Sequence, residues 1–240
     1  MSGPMRTSAT RAEVQPLLDL VKVDLREPDW PCLLDPRGTR FQRLEWLGDS
    51  VLDALLALHV HGGTACSPRE DYAALCSDVA LGRRAQAVGL AEVLDWPPSP
   101  QRLADVVEAL IGAAWLVGPD AAATCASILV HDHLGTGPVA TVNNARKDAR
   151  LGAAVLEAAS ALTLFRRPEL LAADEGELSR HRAHQIAGYH LVSQAAALSW
   201  PAGHGPTEDR LNIVQARVGA QTASAGLEPG LALASELLDA

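Results

Sequence analysis

The sequence has few aromatic residues and no excess of positive charge. Only 4% of its 240 residues are Phe, Trp or Tyr, and the alternation of β-branched and aromatic residues that is typical of strands is hard to find. Ala- and Leu-rich segments with helical spacing recur along the whole chain, so we expect an all-α fold. The formal charge of −9 excludes the strong positive field of many nucleic-acid-binding proteins. Any site for a polyanion must therefore be local.

Cysteines and long apolar runs are also scarce. The four cysteines form no Cys-x-x-Cys pair and have no histidine at zinc-finger spacing, which argues against a zinc module or a disulfide scaffold. The first residues lack the apolar core of a signal peptide, and no uncharged apolar run reaches the roughly 18 residues that a membrane span needs. These absences predict a cytoplasmic protein without a membrane segment.

Two pairs of segments in the two halves of the chain resemble each other. Leu47–Ala54, LGDSVLDA, aligns with Leu151–Ala158, LGAAVLEA, at an offset of 104 residues. Asp105–Ala113 aligns with Asn212–Ala220 at an offset of 107 residues. The matches occur in the same order, which indicates an internal repeat. The boundary between the copies is predicted in residues 135–144, a stretch rich in Gly, Pro, Thr and Asn.

The apolar spacing places the repeated motifs on long helices. Shorter helices are predicted between the two motifs of each copy. The predicted helices that bear on the site are Phe41–His61, Asp71–Val79, Leu81–Val93, Pro100–Val117, Lys147–Phe165 and Asp209–Ala225.

Four carboxylates of the first copy fall on two of these helices. Glu45 and Asp49 are four residues apart, so they project from one helix face. Asp105 and Glu108 are three apart and lie in an apolar stretch, where a carboxylate is costly unless it is paired or binds a metal ion. Converging carboxylates repel one another without a cation, and ligation by oxygen alone favours Mg²⁺ or Mn²⁺. The alternative is a solvated acidic helix face, which is the usual meaning of a single acidic pair.

All four acids are missing from the second copy. The aligned positions hold two alanines and two amides, namely Ala149, Ala153, Asn212 and Gln215. The apolar residues around these positions are kept. A joint loss of this kind is expected of residues that share one role in chemistry.

Two segments of the first copy resemble the ribonuclease III family. Gln42–Asp53, QRLEWLGDSVLD, resembles the signature helix of that family, and Leu103–Ala113, LADVVEALIGA, resembles its other catalytic helix. The resemblance implies an all-helical endonuclease domain that acts on double-stranded RNA with divalent metal ions. It also implies that the domain works as a dimer or as tandem domains that form an intramolecular pseudodimer. Carried over residue by residue, the acidic ligands of the family fall on Glu45, Asp49, Asp105 and Glu108.

The resemblance leads to a specific expectation for the whole chain. Residues 1–134 are predicted to form a ribonuclease III-like domain with an intact acidic site, residues 135–144 a linker, and residues 145–240 a degenerate domain of the same kind. The expected function is a metal-dependent endoribonuclease that hydrolyses phosphodiesters of double-stranded or structured RNA, with one active site per chain and Mg²⁺ or Mn²⁺ as cofactor. The chain would be a monomeric pseudodimer or a homodimer. No segment resembles a double-stranded-RNA-binding domain.

The net charge gives no support to contacts with RNA, because neither half of the chain is positive. Local clusters of basic residues are the candidates, and each is more often a solvated face than a contact with RNA. The candidates are Arg37, Arg40, Arg43, Arg83, Arg84, Arg146, Lys147, Arg150, Arg166 and Arg167.

Two other functions stay open at this point. The chain could be an RNA- or protein-binding scaffold that keeps the fold without cleaving, although its complete acidic set argues against this. It could also be a metal-dependent enzyme of that fold with a substrate other than RNA, which the negative charge favours.

Overall fold

The computed structural model describes residues 11–25, 32–33, 35–62, 75, 77–94, 99–131, 134–139, 144–201 and 203–240. Within these ranges the chain is helical and contains no strand, which confirms the expected all-α fold. None of the helices in these ranges is both long enough and apolar enough to cross a membrane.

Most of the described chain lies in helices. A single 3₁₀ turn, Pro168–Leu170, follows the longest helix of the second half. In chain order the α-helices are α1 Arg11–Val21, α2 Thr39–Gly62, α3 Asp78–Ala87, α4 Leu90–Val93, α5 Pro100–Val117, α6 Pro119–Leu129, α7 Ala145–Arg166, α8 Glu175–Gln185, α9 Gly188–Ala197, α10 Thr207–Ala225 and α11 Leu227–Leu238.

The long helices agree with the sequence, but one prediction between them is wrong. Both ends of α2, α5, α7 and α10 lie within two residues of the predicted ends. The single helix predicted over Leu81–Val93 is instead two helices, α3 and α4, which are separated at Gly89. That residue has a φ of +84°, in the left-handed region that ends helices and favours glycine. The predicted helix Asp71–Val79 falls mostly outside the described residues, and its last two residues belong to α3.

The contacts divide the chain into two compact units. Unit 1 comprises the described residues of 1–49 and 77–133, and unit 2 those of 50–76 and 134–240. Helix α2 therefore contributes its first part to unit 1 and its second part to unit 2. In unit 1, α5 packs against α3 and α6. In unit 2, α7 packs mainly against α10 and α11. The predicted linker at residues 135–144 stays a prediction.

In unit 1, α2 and α5 cross with their main chains in contact. A Cβ atom added at Gly48 would lie 1.8 Å from the main-chain oxygen of Glu108, and one added at Gly112 would lie 2.1 Å from that of Leu44. Distances below about 3 Å are far inside van der Waals contact, so this crossing requires glycine on both helices. Each glycine belongs to one of the two motifs that the sequence repeats.

Unit 2 contains the same crossing between α7 and α10. A Cβ atom at Gly152 would lie 1.8 Å from the main-chain oxygen of Gln215, and one at Gly219 would lie 1.8 Å from that of Asp148. Under the offsets of 104 and 107 residues, these four positions are the counterparts of the four that form the crossing in unit 1. The sequence repeat is thus accompanied by a repeated helix crossing.

The crossing predicts a large effect of a single methyl group. We expect Gly152→Ala to lower the free energy of unfolding by at least about 2 kcal/mol, because the methyl group meets main-chain atoms that cannot turn away. Gly176→Ala is the matched control, since Gly176 lies in α8 of the same unit and its nearest neighbour would be an ordinary 3.4 Å away. Urea denaturation of both variants measures the difference. Equal stability of the two would contradict the tight crossing.

Candidate active site

The crossing in unit 1 positions the four predicted acids. Glu45 and Asp49 lie on α2 on either side of Leu47-Gly48, and Asp105 and Glu108 lie on α5. Because the main-chain oxygen of Glu108 lies against Gly48, the two helices cannot move apart or slide without losing this contact. The acidic site, defined as Glu45, Asp49, Asp105 and Glu108, is therefore built on the rigid part of unit 1.

The strongest evidence that these acids converge is electrostatic. Burial raises the pKa of Glu108 to about 9, and repulsion by Asp49, Glu45 and Asp105 contributes to the same rise. Carboxylates raise one another's pKa in this way only when they are near each other. Glu45, Asp49 and Asp105 thus all lie close enough to Glu108 to act on its charge. At neutral pH the metal-free site holds Glu108 in its protonated form.

A fifth acid, which the sequence did not suggest, also contributes. Asp78 is the first residue of α3, and its charge raises the pKa of both Glu108 and Asp105. Ser77 precedes it as the N-cap of α3, with its Oγ accepting a hydrogen bond from the main-chain N–H of Ala80 at 3.3 Å. Asp78 has the ordinary position of an acid in a first helical turn. Only the packing of α3 on α5 brings it within reach of the site.

Asp105 has a basic partner on its own helix. The Nη1 of Arg102 donates a hydrogen bond to Oδ2 of Asp105 at 3.0 Å. Burial raises the pKa of Asp105, and Arg102 opposes that rise. The spacing of three residues is the signal that sequence inspection could have used. Arg102 restrains the carboxylate of Asp105 while leaving its own side chain 52% exposed.

The acids are suited to a metal ion by their chemistry, although their side chains are not grouped closely enough to ligate one ion. In the described part of the chain, no three side chains of His, Cys, Asp or Glu form a group that could ligate one ion. The donor set consists of carboxylate oxygens, which are the ligands that Mg²⁺ and Mn²⁺ prefer. Burial and then the nearby negative charges raise the pKa of Glu108, and a divalent cation would neutralise those charges. The donor chemistry and the charge of these residues therefore fit such an ion.

The basic candidates differ in their exposure. Arg37, Arg83, Arg146, Arg150 and Arg166 are exposed, whereas Arg40, Arg84, Lys147 and Arg167 are half-buried. Arg43 is only 1% exposed, and burial followed by repulsion from Arg40 lowers its pKa. It is thus not the surface cation that the sequence suggested, because its position on α2 faces the core of the protein.

The four positions of the second copy also lie together. Ala149, Ala153, Asn212 and Gln215 line one cavity in unit 2 with a volume of about 530 Å³. Arg146 and Arg150 line it as well, and no acidic side chain is among the lining residues. We call this the arginine–amide cavity. It occupies the place in unit 2 that the acidic site occupies in unit 1.

Comparisons with known proteins assign no family to the chain. No family model matches it, and no curated protein matches it significantly. The function must therefore be inferred from the residues of the two units.

The pKa of Glu108 predicts how stability changes with pH. The folded protein without metal keeps a proton on Glu108 up to about pH 9, whereas the unfolded chain releases it near pH 4.5. The free energy of unfolding should therefore fall between these values, by at most about 1.4 kcal/mol per pH unit from this residue, and level off above pH 9. Glu108→Gln should remove this decrease in urea denaturation measured with EDTA, and the exposed control Glu92→Gln should retain it. An unchanged slope in Glu108→Gln would contradict the assignment.

Proposed function

We propose that unit 1 carries the active site of a metal-dependent endoribonuclease of the ribonuclease III type. Its substrate would be double-stranded or structured RNA, and its reaction the hydrolysis of a phosphodiester. The observation that supports this proposal best is that Glu45, Asp49 and Asp105 lie close enough to the buried Glu108 to raise its pKa further. A protein keeps such an arrangement at a cost to its stability, and cation binding offsets that cost.

Each residue of the acidic site has a definite role in this proposal. The four carboxylates would hold Mg²⁺ or Mn²⁺, which lowers the pKa of a bound water and stabilises the leaving oxygen. Glu108 is half-buried, its pKa is raised to about 9, and it would be the ligand least tolerant of replacement. Arg102 acts as a positioning residue, because its hydrogen bond restrains the carboxylate of Asp105.

The repeated crossing supports a tandem arrangement. The two units have the same glycine contacts at aligned positions, while only unit 1 has the acids. We infer that unit 2 is a degenerate ribonuclease III-like domain and that the two domains form a pseudodimer within the chain. A chain with one acidic site would cut one strand of a duplex.

Strand-specific cleavage tests the proposal. An RNA duplex, end-labelled on each strand in turn, is incubated with Mg²⁺ or Mn²⁺ and with either the wild-type protein or Glu108→Gln. We expect metal-dependent cutting of one strand and a loss of at least about a hundredfold in rate in the variant, because one metal ligand is gone. Cutting of both strands would point to the association of two active chains. Duplex binding without cutting would favour the scaffold, and neither binding nor cutting would count against RNA as the substrate.

Metal binding gives a test that does not depend on the substrate. Because Glu108 is protonated at pH 7 in the absence of metal, ligation must displace its proton. We expect release of close to one proton per Mg²⁺ bound, measured by calorimetry in two buffers of different ionisation enthalpy. Glu108→Gln should bind more weakly and release none from this position. Binding without proton release would mean that Glu108 is not a ligand.

A second candidate function is favoured by the net charge. The formal charge of −9 opposes the approach of a polyanion such as RNA, and a smaller phosphoester would experience less repulsion. This alternative uses the same four acids and the same metal. It would be favoured if Mg²⁺ binds with proton release and RNA is neither bound nor cut.

A further inference from the structure

We propose that the arginine–amide cavity of unit 2 binds a phosphate group directly, without a metal ion. Unit 1 surrounds its site with carboxylates, whereas the equivalent place in unit 2 has two arginines and two amides, Arg146, Arg150, Asn212 and Gln215. All four can donate hydrogen bonds to an anionic oxygen. The lining carries two positive charges and no negative one. The assignment of a phosphate ligand depends only on this lining. The further assignment of that phosphate to an RNA backbone rests on the proposed function.

The arginines lie on one face of α7 at its positive end. Arg146 and Arg150 are four residues apart, in the first two turns of a helix that begins at Ala145. Two cations at this spacing repel each other, and Arg146 is also disfavoured in the first turn of a helix, where the macrodipole is positive. An anion bound between them would remove both costs. Paired guanidinium groups also match the oxygens of a phosphate in geometry.

The polar groups of the cavity have no competing partner among the residues that the structure describes. Within the described residues, the side chains of Arg146, Arg150, Asn212 and Gln215 make no hydrogen bond or ion pair. The glycine crossing fixes the main chain of Gln215, since its carbonyl oxygen lies against Gly152. The volume of about 530 Å³ accommodates a phosphate together with an attached group.

An adjoining cavity supplies a second observation. It has a volume of about 350 Å³, shares Arg150 and Ala153 with the arginine–amide cavity, and is also lined by His61. His61 is 3% exposed, and its Nε2 lies 2.8 Å from Oδ1 of Asp148. Its Nδ1 is buried and has no partner among the described residues. A buried ring nitrogen without a partner is costly, so a polar ligand atom is expected beside it.

The two cavities are distinguished by their charge. In the adjoining cavity Asp53 and Glu157 offset the charges of Lys147 and Arg150, whereas no acidic side chain lines the arginine–amide cavity. The anionic group therefore belongs in the arginine–amide cavity. The neighbouring part of the ligand, which carries hydrogen-bond donors, extends past Arg150 towards His61.

Binding in EDTA tests the proposal with the full chain. The probes are inorganic phosphate and a short RNA duplex, each titrated at low salt and followed by calorimetry. Arg150→Ala should weaken binding at least tenfold, because one of two phosphate-facing cations is lost. Gln215→Glu should weaken it at least as much, since the nearly isosteric carboxylate repels phosphate. The matched control is Arg180→Ala, which removes an exposed cation of unit 2 that does not line the cavity.

The outcomes test whether the cavity binds phosphate and, separately, whether that phosphate belongs to an RNA backbone. Weakening of both probes in Arg150→Ala and Gln215→Glu, with Arg180→Ala unchanged, supports the site and identifies an RNA backbone as a ligand. Weakening of the inorganic phosphate titration alone supports the site for free phosphate or a small phosphorylated molecule. The proposal is overturned if neither probe binds the wild-type protein or if Gln215→Glu binds both as tightly. Because the titrations contain EDTA and measure binding alone, failure of the nuclease proposal would leave this result intact.

Discussion

The contact of main chain against main chain at two glycines is the constraint on which both units depend. In unit 1 it joins α2 to α5 through Gly48 and Gly112, and in unit 2 it joins α7 to α10 through Gly152 and Gly219. Without side chains at the crossing, the two helices approach closely enough to fix the rotation and register of each on the other. Residues one turn away from the glycines are then held in defined places. The site of each unit lies within a turn of this contact.

The same scaffold carries opposite charge in the two units. Unit 1 places acids around its crossing and accepts the electrostatic cost that appears as the high pKa of Glu108. Unit 2 replaces them with alanines and amides and adds arginines at the positive end of α7. Because the crossing is made by main-chain atoms, the side chains beside it can change charge without altering the packing. This separation of packing from charge would allow one architecture to support the proposed cation site of unit 1 and the proposed anion site of unit 2.

Much of the framework could be predicted from the sequence, and the failures have physical causes. The long helices were predicted to within two residues because their apolar spacing is regular. The break at Gly89 was missed, since a single glycine is compatible with either a helix or its end. Arg43 was assigned to the surface, although its place on α2 buries it. Arginine is long and polar, and its type alone does not reveal which helix face is covered.

The sequence by itself determined the all-helical fold, the repeat and the identity of the four acids, because periodicity and motif spacing are properties of the local chain. It could not determine that Asp78 acts on Glu108 from another helix, or that His61 approaches Asp148 across 87 residues. Nor could it show that the replaced positions of unit 2 surround a cavity with Arg146 and Arg150. These relations depend on which helix faces meet, and only the tertiary packing brings residues distant in the chain within the range of electrostatic and hydrogen-bond interactions.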